Sequence, residues 1–229
     1  MRNMSYILGA VVVAVALWFG AQEWSGDNQS PLPPVATGQP APAPAPSVAR
    51  TPPTEDHGPL GILLADRVMG RADAPVTIEE FSSLTCSHCA SFHRDTLPKI
   101  KTTYIDTGKV KLVYRDYPLG ALAMAAAMLA RCGTPELYFG FLEVLFRSQQ
   151  SWPASKDPRQ ELGRLARFAG IGKAEFDACL ENEALLEGIQ GRAADAQTRF
   201  GIESTPTFMI DGVKVAGALP FEDFQTVIE

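Results

Sequence analysis

The chain has 229 residues, 46% of them hydrophobic, and carries a formal charge of −6 at pH 7. Nothing in that balance offers the basic surface that nucleic acid requires, so nucleic acid is excluded as an expected partner. The apolar content suffices for a core, but the first 60 residues do not read as part of one; about 170 remain, the size of one ordinary domain.

Residues 1–25 come first. Arg2 precedes an uncharged run from Tyr6 to Ala21, and a positive flank before an apolar stretch is an export signal. From Met4 to Trp24 the segment approaches the roughly 20 residues that a helix needs to span a bilayer. Trp18 and Trp24 suit the outer interface. The best cleavage candidate, Phe19-Gly20-Ala21, places a bulky Phe where a small residue is wanted. These features favour an uncleaved signal anchor over a cleaved signal peptide, and under both readings the rest of the chain is exported.

Residues 26–60 form a Pro/Ala-rich linker, with the alternating run Pro40-Ala41-Pro42-Ala43-Pro44-Ala45-Pro46 at its centre. Such a composition favours extended polyproline II and builds no core. At about 3.1 Å per residue, the stretch from Ser30 to Pro53 would hold a domain up to roughly 70 Å from a membrane. A semi-rigid spacer is preferred to an SH3-type ligand.

The folded domain is expected over 61–229. Leu63 to Met69 reads as a short first strand or turn, and Val76 to Ser83 as a strand. Cys86 to Asp106 reads as a helix kinked by Pro98. Lys109 to Asp116 alternates apolar and polar residues and reads as a second strand. Five helical runs follow: Leu119–Arg131, Pro135–Gln150, Asp157–Ala169, Lys173–Leu180 and Glu183–Phe200. Strand character returns at Thr207–Ile210. Asp211-Gly212 supplies a two-residue hairpin turn to Val213–Ala216, and Phe221–Ile228 closes the chain as a helix. The order predicts an α/β fold: a mixed sheet with a helical insertion, about 118–200, between a βαβ half and a ββα half.

The chemistry concentrates in Cys86-Ser87-His88-Cys89. A Cys-x-x-Cys pair alone is ambiguous between redox chemistry and zinc. Here it lies between a strand and a helix, which puts Cys86 at a helix N-terminus. Free backbone N–H groups and the positive end of the helix dipole favour a thiolate there. The i, i+3 spacing brings both sulfurs to one face. Cys86, at the helix end, is expected to exchange with substrate, and Cys89, one turn in, to resolve. A protonated His88 beside Cys86 would lower its pKa further. Odd–even alternation puts Glu80 on the same inward face as Ile78 in the strand beneath; a buried carboxylate there could relay the proton of the resolving thiol. Zinc on Cys86, Cys89, His88 and His93 is disfavoured, because ligands on the same helical turns cannot easily close a tetrahedron. No metal and no bound cofactor are expected.

From about Ala65 onward the sequence resembles the DsbA-like thiol:disulfide oxidoreductases. The resemblance rests on Glu80-Phe81-Ser82-Ser83-Leu84-Thr85-Cys86-Ser87-His88-Cys89, on Thr205-Pro206-Thr207-Phe208 and on Val215-Ala216-Gly217-Ala218-Leu219. It implies a thioredoxin fold with an inserted helical domain. It implies that Pro206 is cis, with its loop facing the dithiol and binding substrate backbone, that Thr205 tunes the redox pair, and that Glu80 is the family's buried acid. It also implies a second, non-catalytic disulfide between Cys132 and Cys179, the alternative being two buried apolar thiols.

The function implied is disulfide introduction into exported cysteine-containing proteins in the periplasm, with reoxidation by a DsbB-like partner in the inner membrane. The best-known members have Pro where this chain has Ser87, and commonly Val where it has Thr205. Thr at that position is also typical of disulfide isomerases. An isomerase or reductase kept reduced in the envelope therefore stays open, as does a non-catalytic binding module using the cis-proline groove.

Overall fold

The computed structural model describes residues 58–229. The anchor and most of the proline-rich linker read from the sequence lie outside the described residues. Among the described residues no helix is long and apolar enough to cross a membrane.

Helix α1 (Pro59–Leu64) opens the domain, with Pro59 in the first turn, where its missing N–H has no intrahelical partner to lose. It corrects the expectation of a strand or turn from Leu63: Leu63 and Leu64 end a helix, and β1 runs only over Arg67–Met69. Packing explains the difference. Leu64 seats against Gly188, where a Cβ would lie 2.5 Å from the Leu64 Cδ1. The buried Arg131 guanidinium also donates to the Leu63 and Ala65 carbonyls at 2.9 and 3.1 Å, which holds the chain in place between helix and strand.

Strands β2 (Val76–Ser82) and β3 (Val110–Asp116) pair in parallel, as the crossover between them requires. Strands β4 (Thr207–Ile210) and β5 (Val213–Ala216) add antiparallel on the other side of β2, and β1 adds antiparallel to β3. The sheet order is β1-β3-β2-β4-β5, which makes β2 the central strand. The β4–β5 turn uses Asp211 at φ 43° and Gly212 at φ 92°, the left-handed pair that a two-residue hairpin needs. The Asp211 carboxylate accepts from the Thr77 N–H at 3.0 Å and ties the hairpin to β2.

The crossover from β2 to β3 is a helical rod of alternating turns. Helix α2 (Ser87–Ser91) passes into a π segment (Phe92–Thr96), then α3 (Leu97–Ile100), then a second π segment (Lys101–Ile105). Pro98 cannot donate to the preceding turn, and its ring crowds the carbonyl four residues back. The wider turn adapts to this: the Leu97 N–H bonds the Phe92 carbonyl, five residues back. The helix expected over Cys86 to Asp106 thus runs through Pro98 as consecutive α and π segments.

The insertion contains α4 (Ala121–Cys132), a 3-10 turn (Pro135–Leu137), α5 (Tyr138–Arg147), α6 (Pro158–Phe168), α7 (Lys173–Leu180) and α8 (Glu183–Phe200). Helix α9 (Phe221–Ile228) ends the chain. On one face of the sheet, Ile78, Leu112, Phe208 and Ile210 pack with Phe92, Leu97 and Ile100 of the rod and Phe224 of α9. On the other face, Phe81 packs with Ala196 and Ile202, its ring 5.9 Å from that of Phe200. The insertion has its own core, which joins the domain through Leu84, Cys89, Ala90 and Tyr114. The dithiol therefore lies at the seam between the two cores.

Cys132 and Cys179 are joined by a disulfide, linking the end of α4 to α7.

Candidate active site

Both sulfurs of the Cys-x-x-Cys pair are free thiols in this structure. Cys86 is the N-cap of α2, with extended backbone angles (φ −82°, ψ 121°), and its carbonyl accepts the Ala90 N–H at 3.1 Å. It is half-buried, whereas Cys89 is fully buried. One sulfur is reachable and the other is not, which is the division of labour that exchange chemistry needs.

The Cys86 thiol is pushed down from an ordinary value of 9.0 to about 5. The largest cause is a hydrogen bond from the Cys89 thiol, followed in the same direction by the Thr205 hydroxyl and the backbone N–H groups of Cys89 and His88; partial burial opposes them. Thr205 presents two groups to this sulfur. Its carbonyl accepts the Cys86 S–H at 3.2 Å, which favours the thiol, while its buried hydroxyl, which has no conventional hydrogen bond, favours the thiolate. The Thr205–Pro206 peptide is cis, and the Cys86–Thr205 contact sets the loop before β4 against the start of α2.

Cys89 shifts the other way. Burial pushes its thiol far up, the Cys86 sulfur adds to the effect, and the negative charge of Glu80 contributes in the same direction. The Ser82 hydroxyl, which has no conventional hydrogen bond of its own, and the Ser83 backbone N–H oppose this. The pair is polarised: a stable thiolate at the surface, a stable thiol inside.

His88 enters differently from the expectation. Its side chain is exposed, and what reaches the Cys86 sulfur is its main-chain N–H. The imidazole that is built into the interior is that of His93. It bonds both carboxylate oxygens of Glu80, at 2.8 and 3.1 Å, and stacks on Phe146 at 4.1 Å. Glu80 is fully buried, as the alternation with Ile78 predicts, while its neighbour Glu79 points to the opposite face and accepts from Arg115 at 2.7 Å. His93 appears in the sequence reading only as a disfavoured zinc ligand. The signal that would have found it is helical period: four residues after Cys89, it lies on the same inward face.

Gln149 has no such signal. It follows the end of α5, and its side-chain amide donates to the carbonyls of Leu84 and Cys86, each at 2.9 Å. The insertion thereby holds the turn that carries Cys86.

A helix-capping thiolate opposite a cis-proline loop, on a five-stranded mixed sheet, defines the class: thioredoxin-fold proteins with a dithiol centre. The thioredoxin family model matches residues 64–229. Disulfide bond formation protein D of Bacillus subtilis is 27% identical over 167 residues, covering 71% of this chain and 75% of that protein. A Rickettsia bellii protein provisionally named a protein-disulfide oxidoreductase is 29% identical over 150 residues, and the match covers 65% of this chain and 58% of that relative. The crystal structure of Wolbachia pipientis alpha-DsbA1 superposes with a TM-score of 0.67 at 34% identity, covering 71% of this chain and 88% of that one. The chain belongs to the thioredoxin family, in its DsbA-like branch.

Proposed function

We propose that this chain is a thiol:disulfide oxidoreductase that introduces disulfide bonds into exported proteins. The observation that carries the reading is the polarised pair, a Cys86 thiol lowered to about 5 beside a buried Cys89 raised well above its ordinary range. A thiol of low pKa is a good leaving group, so the disulfide form is readily attacked and tends to oxidise its partner.

In the proposed cycle a substrate thiolate attacks the Cys86 sulfur of the Cys86–Cys89 disulfide. A substrate–Cys86 bond forms, the Cys86–Cys89 bond breaks, and Cys89 leaves with the electron pair and takes a proton. A second substrate thiolate then attacks the substrate sulfur and expels Cys86 as its stable thiolate. The substrate gains a disulfide and the enzyme is left reduced by two electrons. The backbone at Thr205 and Pro206 would pair with the substrate chain, while Glu80 would handle the Cys89 proton. Cys132–Cys179 would brace the insertion without entering the cycle.

The N-terminal sequence supports a setting for this chemistry. Residues 1–25 would anchor the chain in the inner membrane, 26–60 would space it, and 61–229 would work in the periplasm. Electrons would pass to a DsbB-like membrane partner. One observation favours a second reading: Thr205, typical of isomerases, touches the Cys86 sulfur, and an isomerase or reductase would be kept reduced by a different donor.

The test traps the cycle in cells. A Cys89→Ala variant should accumulate mixed disulfides with exported cysteine-containing proteins, and wild-type Cys86 should be found oxidised at steady state. A reduced Cys86 would select the isomerase reading. If Cys86→Ser left cellular function unchanged, a non-catalytic binding module would replace both.

A further inference from the structure

The proposed cycle leaves a proton without a route. Cys89 must gain one proton when it leaves Cys86 and lose one before it attacks a mixed disulfide, yet it is fully buried. When Cys89 leaves, Cys86 is bonded to substrate, so its sulfur cannot carry the proton outward. Glu80 is also fully buried; it lies opposite Tyr114 of β3, which packs in the same buried cluster as Cys89, and its charge raises the Cys89 thiol. A carboxylate enclosed in this way can store a proton but needs a second group to reach water.

His93 is placed to be that group. Its Nε2 contacts both Glu80 oxygens at 2.8 and 3.1 Å. Its ring is held between the face of Phe146 at 4.1 Å and the edge of Phe92 at 5.6 Å. Its side chain retains 8% exposure, against 0% for Glu80, and that exposure opens into a groove of about 720 Å³ between the active-site rod and α5. Ser87 and Ala90 border the same groove, so it runs beside the dithiol.

The neighbouring groups offer no better exit. The Tyr114 ring on β3 lies 6.1 Å from that of His93, but burial pushes its phenol well above the ordinary range and it keeps its proton. Arg94, Glu143 and Arg147 line the groove on the solvent side of His93, and none of the three is bonded to Glu80.

We propose that His93 is the outer half of a proton relay, passing the proton of Cys89 between Glu80 and the water of the α2–α5 groove. This rests on the exchange function proposed above. His93 acts through Glu80 and touches no reacting sulfur, so it is a positioning and relay residue. In the reductive direction the proton enters by His93 and ends on Cys89; in the oxidative direction it leaves by the same atoms.

The test follows reduced full-length protein mixed with oxidised glutathione. The first phase joins glutathione to Cys86 and needs only the Cys86 thiolate. The second phase is attack by Cys89, which must shed its proton. His93→Phe keeps an aromatic ring against Phe146, and His93→Ala opens the site to the groove. Both should leave the first phase within a factor of about two and slow the second about tenfold or more, a modest share of what proton transfer can supply. Added imidazole should restore most of the second-phase rate in His93→Ala and none in His93→Phe. A second phase at the wild-type rate in both variants would overturn the relay. So would slowing that imidazole leaves untouched and that is equal at every pH, since this is what a purely structural role gives. Absence of the first phase in the wild type would instead defeat the exchange function itself, and the two failures cannot be confused.

Discussion

The chain contains two cysteine pairs in opposite surroundings. Cys132 and Cys179 lie 47 residues apart and are bridged, in the core of a helical insertion. Cys86 and Cys89 are three apart and free, at the mouth of a helix. What separates them is surroundings. Cys179 belongs to a cluster of buried apolar side chains, with the Met128 carbonyl 3.2 Å from its sulfur, surroundings that favour a neutral, inert state. Cys86 meets a thiol, a threonine hydroxyl and two main-chain N–H groups, all of which favour charge. The same element is thus bridged among apolar groups in one place and held toward the thiolate in the other.

The sharpest way to break this comparison is to remove one pair at a time. Cys86→Ser should abolish exchange in an insulin-reduction or peptide-oxidation assay while leaving the fold intact. Removing Cys132–Cys179 with paired Ser substitutions should keep exchange within a factor of about three but lower the unfolding free energy by about 2–4 kcal/mol, measured in urea, because the reduced chain regains loop entropy. If the paired variant lost exchange while still folded, the two roles would not be separable.

The next effect is on ionisation. Alkylation of Cys86 by iodoacetamide should rise through an inflection near pH 5, the value to which its surroundings bring it. Cys89→Ala removes the largest cause of that shift and should move the inflection upward. An inflection left near 5 would mean that the main-chain donors and Thr205 suffice.

The same shift has a stability consequence. The folded thiol lies at about 5 and the ordinary value is 9.0. The unfolded reduced chain therefore binds more protons between those limits, and stability rises with pH across them. Relative to Cys86→Ser, reduced wild type should hold its full advantage above pH 9, lose it as pH falls from 9 towards 5, and keep none below. Thermal unfolding of both proteins across that range checks the sign; an advantage that grew toward acid would contradict it.

The smallest expected effect tests the join between the two regions. Gln149→Ala removes two hydrogen bonds from the turn carrying Cys86 and should cost about 1–3 kcal/mol of stability. Trypsin cleavage near Arg94 is the local readout, and resistance equal to wild type would show that the turn stands without the clamp.

Much of this was legible in the sequence, and the reasons differ by element. Strand alternation placed Glu80 on the inward face of β2 because period-2 geometry leaves no choice once Ile78 is buried. Asp211-Gly212 marked its hairpin because few residue pairs adopt that backbone. The cis-proline loop came from resemblance, since nothing local requires Thr205–Pro206 to be cis. The π turns carry no sequence signal, since Pro98 announces a disturbance without saying how the helix absorbs it. Gln149 and the Phe146 face under His93 depend on how α5 approaches α2, a tertiary fact without a sequence period. His88 sits inside the motif, yet its side chain is exposed and only its backbone reaches the Cys86 sulfur.

The most direct test of the central claim is the equilibrium reduction potential of Cys86–Cys89 in glutathione buffers. A thiolate held this far below its ordinary range stabilises the reduced form, so the potential should lie closer to about −120 mV, the strongly oxidising end of the family, than to about −270 mV. A value near −270 mV would contradict the account, because a pair that stable as a disulfide would draw electrons from its partners too weakly to oxidise them.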